Sequence, residues 1–291
     1  MHGADFSGDI DDQHVADIWA ALDKHLVLVF RGQKDPTDAQ LMAFGRRFGH
    51  IPRTGLKAGA NPNHNEILIC SSIVENGQTI GVGTPQWMDW HTDYSFRPRV
   101  SQIGFLSAVE LPRGGGGETL FTDMYTAYES LPEDLRQRLH TYRARHALRA
   151  GYEDVIEEGH QGEVTVADLE KETLIPAEGG TVTVHPLIAQ NPRTGRRAVY
   201  VNPLNTKRIL ELDLEASHEL LKKLFATAGE PSRTYAHDWV LGDIVMWDQL
   251  GTLHARRPYN PMDRRKLRKV VTIFADPAEP WRHSENQPLH A

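Results

Sequence analysis

A His-x-Asp triplet in the first third of the chain has the residue types of a metal site. His91 and Asp93 are two positions apart, and in a β-strand such side chains point to the same side. A distant strand would have to supply a third ligand, and the stretch Trp247–His254 ends in a further imidazole. Two imidazoles and one carboxylate on one face of a metal are typical of non-haem Fe(II) oxygenases. Alone, such a triplet is more often a solvated surface pair than a metal site, so the inference depends on the two segments meeting.

Apolar patterning indicates the elements that would bring these segments together. Thr37 and Gln40 form a capping-box pattern, which predicts the start of a helix. Helices are predicted over 13–25, after residue 37, and at about 133–147 and 213–227. Strands are predicted over 26–30, 67–71, 102–109, 119–122, 180–185, 197–202, 243–247 and 269–274. The acidic segment 153–170 is predicted to be a mobile loop or lid.

Strands lie on both sides of the region 120–180, and both groups carry candidate ligands. We therefore expect a single domain over residues 1–291. It would be an α+β fold, mainly β, with an antiparallel barrel-like sheet wrapped by helices. The segments 180–185 and 197–202 are expected to form a hairpin around the turn signal at 191–195.

Composition restricts the classes of partner. The chain has 291 residues, a net charge of −7 and one cysteine. A general nucleic-acid binder would be basic, so we expect no nucleic-acid partner. Cys70 cannot form an intrachain disulfide, which favours a reducing compartment, and its apolar neighbours favour a buried inert thiol. The sequence lacks both an 18-residue apolar run and a signal-peptide pattern, so we expect a cytoplasmic protein with no membrane partner.

Several motifs occur together, which is more specific than any one of them. They are Leu28–Gln33, Phe44–Gly49, Trp90–Asp93, Gly116–Thr119, His185–Ile188, Tyr200–Asn202, Gly242–Asp248 and the pair His254 and Arg265. Through them the chain resembles the taurine dioxygenase and 2,4-dichlorophenoxyacetate dioxygenase family of Fe(II)- and 2-oxoglutarate-dependent enzymes. The resemblance runs from about residue 4 to about residue 275. It implies a double-stranded β-helix, that is, a jelly-roll or cupin-like barrel.

The resemblance also implies roles for individual residues. His91, Asp93 and His254 match the catalytic iron ligands, and Thr119 and Arg265 match the residues that bind the distal carboxylate of 2-oxoglutarate. A guanidinium suits this task because its planar fork binds a carboxylate through two parallel charge-assisted bonds.

The basic run Arg264–Lys269 leaves alternatives for the co-substrate arginine. Strand alternation puts Arg265 and Lys269 on one face and Arg268 on the other. Arg268 is therefore the second candidate for binding 2-oxoglutarate, and it becomes the first if the register shifts by one. A run that simply faces water is the remaining alternative. Lys269 stands where many relatives carry a second arginine, and a lysine lacks the guanidinium fork.

Three residues are predicted to contact the substrate. Tyr94 follows the aspartate ligand, and Arg53 and Lys269 are basic residues expected beside the same pocket. The loops 50–60, 80–90 and 153–170 are expected to complete it. Cations clustered at one pocket of a protein of net charge −7 predict an anionic substrate. The alternative is that these side chains only face water.

Other residues near these motifs are assigned structural tasks. His185 and His237 are predicted to be structural, and Trp90 and Trp247 are predicted to form walls of the metal pocket by packing. The glycine run 114–117 is predicted to make a tight turn before Thr119, because the lysine of a phosphate-binding loop does not follow it. Gln249 replaces an asparagine that is common after Trp-Asp in the resembled family, which is expected to change only the bonding around the ligands.

The resemblance implies an enzyme that uses Fe(II), 2-oxoglutarate and O2 to hydroxylate a small organic molecule, with release of succinate and CO2. Desaturation, cyclisation and C–O or C–S cleavage of a natural-product or xenobiotic acid remain alternative outcomes. Halogenation is disfavoured because the carboxylate ligand Asp93 is present. A non-catalytic, cupin-like binding protein is the alternative from another class. The sequence is compatible with a homo-oligomer and fixes neither its oligomeric state nor its substrate.

Overall fold

The computed structural model describes residue 6 and residues 10–54, 59–147 and 182–282. Within them the helices are α1 (Asp12–His25), α2 (Asp38–Arg46), α3 (Met124–Glu129), α4 (Glu133–Leu139) and α5 (Leu214–Ala226). The first eight strands are β1 (Val27–Phe30), β2 (Leu68–Ser71), β3 (Ile73–Glu75), β4 (Gln78–Ile80), β5 (Met88–His91), β6 (Ser101–Glu110), β7 (Thr119–Asp123) and β8 (Arg143–Ala147). The others are β9 (Val182–Pro186), β10 (Ile188–Gln190), β11 (Arg197–Val199), β12 (Thr206–Ile209), β13 (Thr234–His237), β14 (Ile244–Asp248), β15 (Thr252–Arg256) and β16 (Lys266–Ile273).

Two antiparallel sheets position the site. The larger has the strand order β1-β14-β6-β16-β2, and the smaller has the order β13-β7-β15-β5. A buried cluster joins them, with Leu106, Val245, Trp247 and Leu267 from the larger sheet and Phe121 from the smaller. The two surfaces that meet in this way are called the inner face below. Non-sequential neighbours in both sheets fit the predicted jelly-roll rather than a simple meander.

The opposite surface of the larger sheet is covered by α1 and α2, and is called the outer face below. Phe44 of α2 packs there against Phe105 of β6, with ring centroids 6.2 Å apart, and Val270 of β16 belongs to the same cluster. The predicted capping box is confirmed, because the Thr37 hydroxyl accepts from the Gln40 backbone and the Gln40 side chain accepts in return. This local device fixes where α2 begins and therefore which side chains it presents to the sheet.

Two sequence predictions of elements were wrong. The helix predicted at 133–147 ends at Leu139, and β8 follows it, paired with both β9 and β12. The hairpin around 191–195 exists, but its first strand is β10, while β9 pairs with β8. A short apolar segment is compatible with a helix or a strand, and a strand is compatible with more than one partner. Pairing within a sheet decides between these possibilities. The predicted lid at 153–170 lies outside the described residues.

The longest helix of the described ranges, α1, has 14 residues. None of the helices in those ranges is long and apolar enough to cross a membrane.

Candidate metal centre and co-substrate pocket

His91 and Asp93 sit where β5 ends and a turn begins. His91 is the last residue of β5, and Tyr94 has a positive φ of 58°. The two candidate ligands therefore converge through a turn rather than through the regular strand that we predicted. Gln249 holds this turn, because its side-chain oxygen accepts from the Thr92 hydroxyl at 3.0 Å and from the Asp93 backbone at 3.1 Å. Its amide nitrogen donates to Asp93 Oδ2 at 2.6 Å.

His254 reaches the same place from β15. Its Cα faces that of His91 across the β15–β5 pair, and the two ring centroids are 4.1 Å apart. His254 Nε2 lies 3.8 Å from Asp93 Oδ2. One ligand atom from each of the three residues lies within 4.8 Å of the other two, and all three residues are buried. Two neutral nitrogens and a carboxylate oxygen at such separations fit a divalent transition metal.

The protonation of His91 suits metal binding. Its Nδ1 lies 2.8 Å from the carbonyl oxygen of Asp89, which can only accept, so Nδ1 carries the proton and Nε2 keeps its lone pair. Burial lowers the pKa of His91, and the charge of Lys269 lowers it further against the opposing effect of Asp93. Burial also lowers the pKa of His254 well below its usual value, and His91 adds to the effect. Both imidazoles are therefore neutral, as metal ligands must be.

Asp93 is ionised in spite of its burial. Desolvation would raise the pKa of its carboxyl group, but the charge of Lys269 and the hydrogen bond from its ammonium outweigh desolvation and hold that pKa below its usual range. Lys269 bonds directly to Asp93 Oδ1. The larger sheet thus supplies the counter-charge of the carboxylate. Lys269, which was predicted to contact substrate, points in this structure at the candidate metal ligand Asp93.

Arg265 lies on the inner face, as alternation predicted. It is 4% exposed, its Nη2 donates to the Gly117 carbonyl at 3.0 Å, and its Nε is buried without a partner among the described residues. No carboxylate of the described residues pairs with it. Burial lowers the pKa of Arg265 to about 10, and the nearby charge of Arg256 contributes. A buried cation with no anion is costly, and a carboxylate ligand would relieve that cost.

The glycine run explains how Arg265 gains its position. Gly115, Gly116 and Gly117 all have positive φ, as expected for the predicted tight turn. A Cβ at Gly117 would stand 2.8 Å from Arg265 Nε. Close approach to the guanidinium, as well as the turn itself, therefore requires glycine at position 117.

Thr119 is the first residue of β7 and is 2% exposed. Trp239 donates its indole N–H to Thr119 Oγ1 at 3.1 Å. An indole nitrogen only donates, so the threonine hydroxyl keeps its own proton for another acceptor. Trp239 thus prepares Thr119 as a donor. This contact could not be predicted from the sequence, because Trp239 belongs to the loop before β14.

Arg268 does not join this group. Its Nη1 lies 3.0 Å from Asp38 Oδ1 and its Nη2 lies 2.7 Å from Asp35 Oδ1, both beside α2 on the outer face. In this structure the guanidinium of Arg268, the second candidate for 2-oxoglutarate, is bonded to two acids of the chain itself. Asp35 and Asp38 therefore occupy the guanidinium of Arg268. The observed strand register turns Arg265 inward, as predicted.

The two remaining substrate candidates, Tyr94 and Arg53, are linked through contacts of Arg97. Tyr94 is half-buried, and Arg97 Cζ stands 4.0 Å from its ring centroid. Arg97 Nη2 donates to the Thr54 carbonyl at 2.7 Å, next to the exposed Arg53. This contact connects the turn after Asp93 with the segment 50–54. Arg97 was missed because nothing in its sequence surroundings distinguishes it.

The residues expected to be structural have protein partners. His185 Nε2 donates to the Arg97 carbonyl at 3.0 Å, and burial lowers its pKa to about 4. His237 Nε2 is 3.2 Å from Asp243 Oδ2. Trp247 packs beside His254 with centroids 5.1 Å apart, as predicted. Trp90, in contrast, packs in the cluster of Leu120 and Leu253 and not against the ligands, because alternation in β5 turns it away from His91.

Cys70 lies on β2 and is half-buried rather than fully buried. Burial raises the pKa of its thiol. A raised pKa leaves little thiolate at neutral pH, in keeping with the predicted inert role.

Comparisons with known proteins agree with this architecture. Residues 2–271 match the family described as "Taurine catabolism dioxygenase TauD, TfdA family". The chain is 70% identical over 285 residues to pentalenolactone F synthase of Streptomyces avermitilis, which covers 98% of this chain and 93% of the relative. It is 61% identical to pentalenolactone F synthase of Streptomyces arenae, over 97% of this chain and 94% of the relative.

More distant proteins match over a similar length. The alpha-ketoglutarate-dependent 2,4-dichlorophenoxyacetate dioxygenase of Burkholderia sp. strain RASC is 30% identical, over 91% of this chain and 88% of its own. The crystal structure of AAD-2 in complex with Mn(II) and N-oxalylglycine superposes with a TM-score of 0.75 at 25% identity, covering 95% of each chain. This chain therefore belongs to the TauD/TfdA family and is a 2-oxoglutarate-dependent dioxygenase with a jelly-roll fold.

Proposed function

We propose that His91, Asp93 and His254 bind Fe(II) in this chain. The observation that carries the proposal is the convergence of their ligand atoms within 4.8 Å, inside a family whose members use this metal. The donor set fits, because both imidazoles are neutral and the carboxylate is ionised. When bound, iron and 2-oxoglutarate together turn O2 into an oxidant that attacks a C–H bond and release succinate and CO2.

Arg265 and Thr119 are proposed to bind the distal carboxylate of 2-oxoglutarate. Two observations support this: the buried guanidinium has no acid partner among the described residues, and the threonine hydroxyl has a free proton. A carboxylate placed between them would receive charge-assisted bonds from the arginine and one bond from the hydroxyl. The residues of the chain thereby orient the co-substrate, while Trp247 and Phe121 pack around His254 and exclude water beside it.

The proposed product is pentalenolactone F. Identity of 70% and 61% to two synthases of that name, against 30% to the dichlorophenoxyacetate enzyme, supports this substrate class over aryloxy acids. The runner-up is oxidation of a xenobiotic aryloxy acid. Whether the reaction is hydroxylation, desaturation or cyclisation depends on the substrate. One experiment therefore addresses both the identity of the substrate and the type of reaction.

The test is a substrate panel scored by succinate release and by product mass. Purified protein receives Fe(II), 2-oxoglutarate, O2 and either lactone precursors of pentalenolactone F, 2,4-dichlorophenoxyacetate or taurine. We expect succinate in proportion to product only with the lactones, and a product that co-elutes with authentic pentalenolactone F. Turnover with the aryloxy acid alone would favour the runner-up. Release of no succinate with any compound would support a non-catalytic binding protein.

The substrate is proposed to be anionic and to contact Tyr94, Arg53 and Lys269. The exposed position of Arg53 and the Arg97 contact beside Tyr94 support a basic approach to the site. Arg53→Ala should weaken substrate binding, and salt should weaken binding to the parent protein. Lys24→Ala, an exposed cation on α1, serves as the matched control. Binding that depends on neither Arg53 nor salt would remove the case for an anionic substrate.

The chain is further proposed to act as one domain in the cytoplasm on small molecules. Size-exclusion chromatography with light scattering would establish whether it is a homo-oligomer.

A further inference from the structure

A second buried arginine lies beside the proposed co-substrate pocket. Arg256 is the last residue of β15, two positions after His254, and so its side chain lies on the same side of the strand. Its Cα faces that of Thr119 across the β15–β7 pair. Strand register therefore brings Arg256 to the inner face next to the threonine that the proposed function assigns to 2-oxoglutarate.

The contacts of Arg256 leave its charge without an anion. It is 7% exposed, its Nη2 donates to the Gln86 carbonyl, and its guanidinium lies beside the ring of Tyr259. Its Nε is buried and has no hydrogen-bond partner in the part of the chain that the structure describes. In the described ranges no carboxylate pairs with it. A guanidinium has five N–H donors, so donor capacity remains.

Arg256 and Arg265 surround the same aromatic ring. Their Cζ atoms lie 5.2 Å and 5.7 Å from the centroid of Tyr259, whose hydroxyl is 2.7 Å from Ser72 Oγ. The bridge between Gly116 and Tyr259 joins the glycine turn to this ring. Two positive charges thus share a small buried space and repel each other.

A protein that buries two unpaired cations together gains most from an anion placed between them. The contrast with its immediate neighbour is informative, because Arg257 is exposed and can remain hydrated. A purely structural arginine at position 256 would need no second arginine beside it. The arrangement is therefore suited to a carboxylate ligand rather than to packing alone.

We propose that Arg256 is a second co-substrate arginine, which binds the distal carboxylate of 2-oxoglutarate together with Arg265 and Thr119. This inference rests on the proposed function, since it assumes that 2-oxoglutarate occupies this pocket. Arg256 would then raise the affinity for 2-oxoglutarate and the preference for a dicarboxylate over a monocarboxylate. Bonds from a second guanidinium would fill carboxylate lone pairs that Arg265 and a single hydroxyl leave open.

The test measures ligand binding without turnover. Calorimetry with the Mn(II)-loaded protein compares 2-oxoglutarate with 2-oxopentanoate, which has a methyl group in place of the distal carboxylate. Arg256→Met should weaken 2-oxoglutarate binding roughly ten- to a hundredfold and leave 2-oxopentanoate binding unchanged. Arg256→Lys should fall in between, because it keeps the charge and loses the fork. Arg257→Met is the matched control and should bind both ligands like the parent.

The melting temperature of the ligand-free protein separates binding from a structural role. Arg256→Met should leave this melting temperature unchanged or raise it, because the substitution removes one of two positive charges that repel each other. The proposal is overturned if Arg256→Met binds 2-oxoglutarate as tightly as the parent, or loses affinity for both keto acids equally. A parent protein that binds no 2-oxoglutarate would overturn the proposed function and this inference with it. Failure limited to the Arg256 comparison overturns the inference alone.

Discussion

The inner and outer faces of the larger sheet hold arginines in opposite circumstances. On the outer face, Arg268 is bonded to Asp35 and Asp38 beside α2. On the inner face, Arg265 is more deeply buried and has only the Gly117 carbonyl as a hydrogen-bond acceptor within the described chain. The two residues are three positions apart, and strand alternation alone sends them to different surroundings.

This difference separates stabilisation from function. A cation that pairs with acids of the chain itself stabilises the folded state. A buried cation without such acids lowers the free energy of unfolding until a ligand supplies a negative charge. The same distinction applies to Asp93, whose counter-charge Lys269 is internal but whose second oxygen faces His254. Substitutions on the inner face should therefore change ligand binding, and those on the outer face should change the free energy of unfolding.

The largest effect is expected at the triad. His91→Ala, Asp93→Ala and His254→Ala should each abolish succinate release and reduce metal content to background, because a three-ligand site has no spare protein ligand. Circular dichroism should show a retained fold. His237→Gln, at a buried histidine outside the triad, should keep full metal content. Stoichiometric metal and full activity in any triad variant would refute the assignment.

The comparison of the two arginines is tested directly by paired substitutions. Arg265→Met should weaken 2-oxoglutarate binding roughly ten- to a hundredfold through loss of a charge-assisted pair. Arg268→Met should leave that affinity unchanged and lower the free energy of unfolding by about 1–2 kcal/mol, since its partner Asp35 is largely exposed. Calorimetry and urea unfolding measure the two quantities. The reverse pattern would mean that the two faces were assigned the wrong way round.

A smaller effect is expected at Gln249, which positions Asp93 without belonging to the triad. Gln249→Ala should weaken Mn(II) binding about tenfold, as is common when the residue that orients a metal ligand is removed. Gln249→Asn keeps the amide on a shorter side chain and should recover part of the affinity. Equal metal affinity in the parent protein and both variants would show that the turn needs no such support.

The smallest effect is expected at Thr119. Thr119→Val removes one hydroxyl donor, which is worth about 1 kcal/mol or roughly fivefold in 2-oxoglutarate affinity. Thr122→Val is a matched control on the same strand, because the buried Thr122 hydroxyl has no hydrogen-bond partner within the described chain. The control should bind 2-oxoglutarate like the parent protein. An identical response of the two variants would indicate a general effect on β7.

Local patterns accounted for much of the fold. The capping box at Thr37 and the apolar runs of β1, β6 and β14 were predictable because short-range hydrogen bonds and burial determine them. The region after Leu139 was not, since Arg143–Ala147 becomes a strand only when β9 and β12 lie on either side of it. Its sequence carries no alternation strong enough to reveal a strand without those partners.

The sequence by itself determined which residue types were available for chemistry, and alternation along β16 already placed Arg265 and Arg268 on opposite faces. Only the tertiary structure decided which of them has no acid partner among the described residues, and that Lys269 meets Asp93. It also decided that Trp239 bonds to Thr119 and that Arg256 stands opposite Thr119 across the sheet. These facts depend on contacts between segments more than 100 residues apart in the chain. Register across the sheets sets such contacts, and no local pattern encodes the partner that a side chain will find.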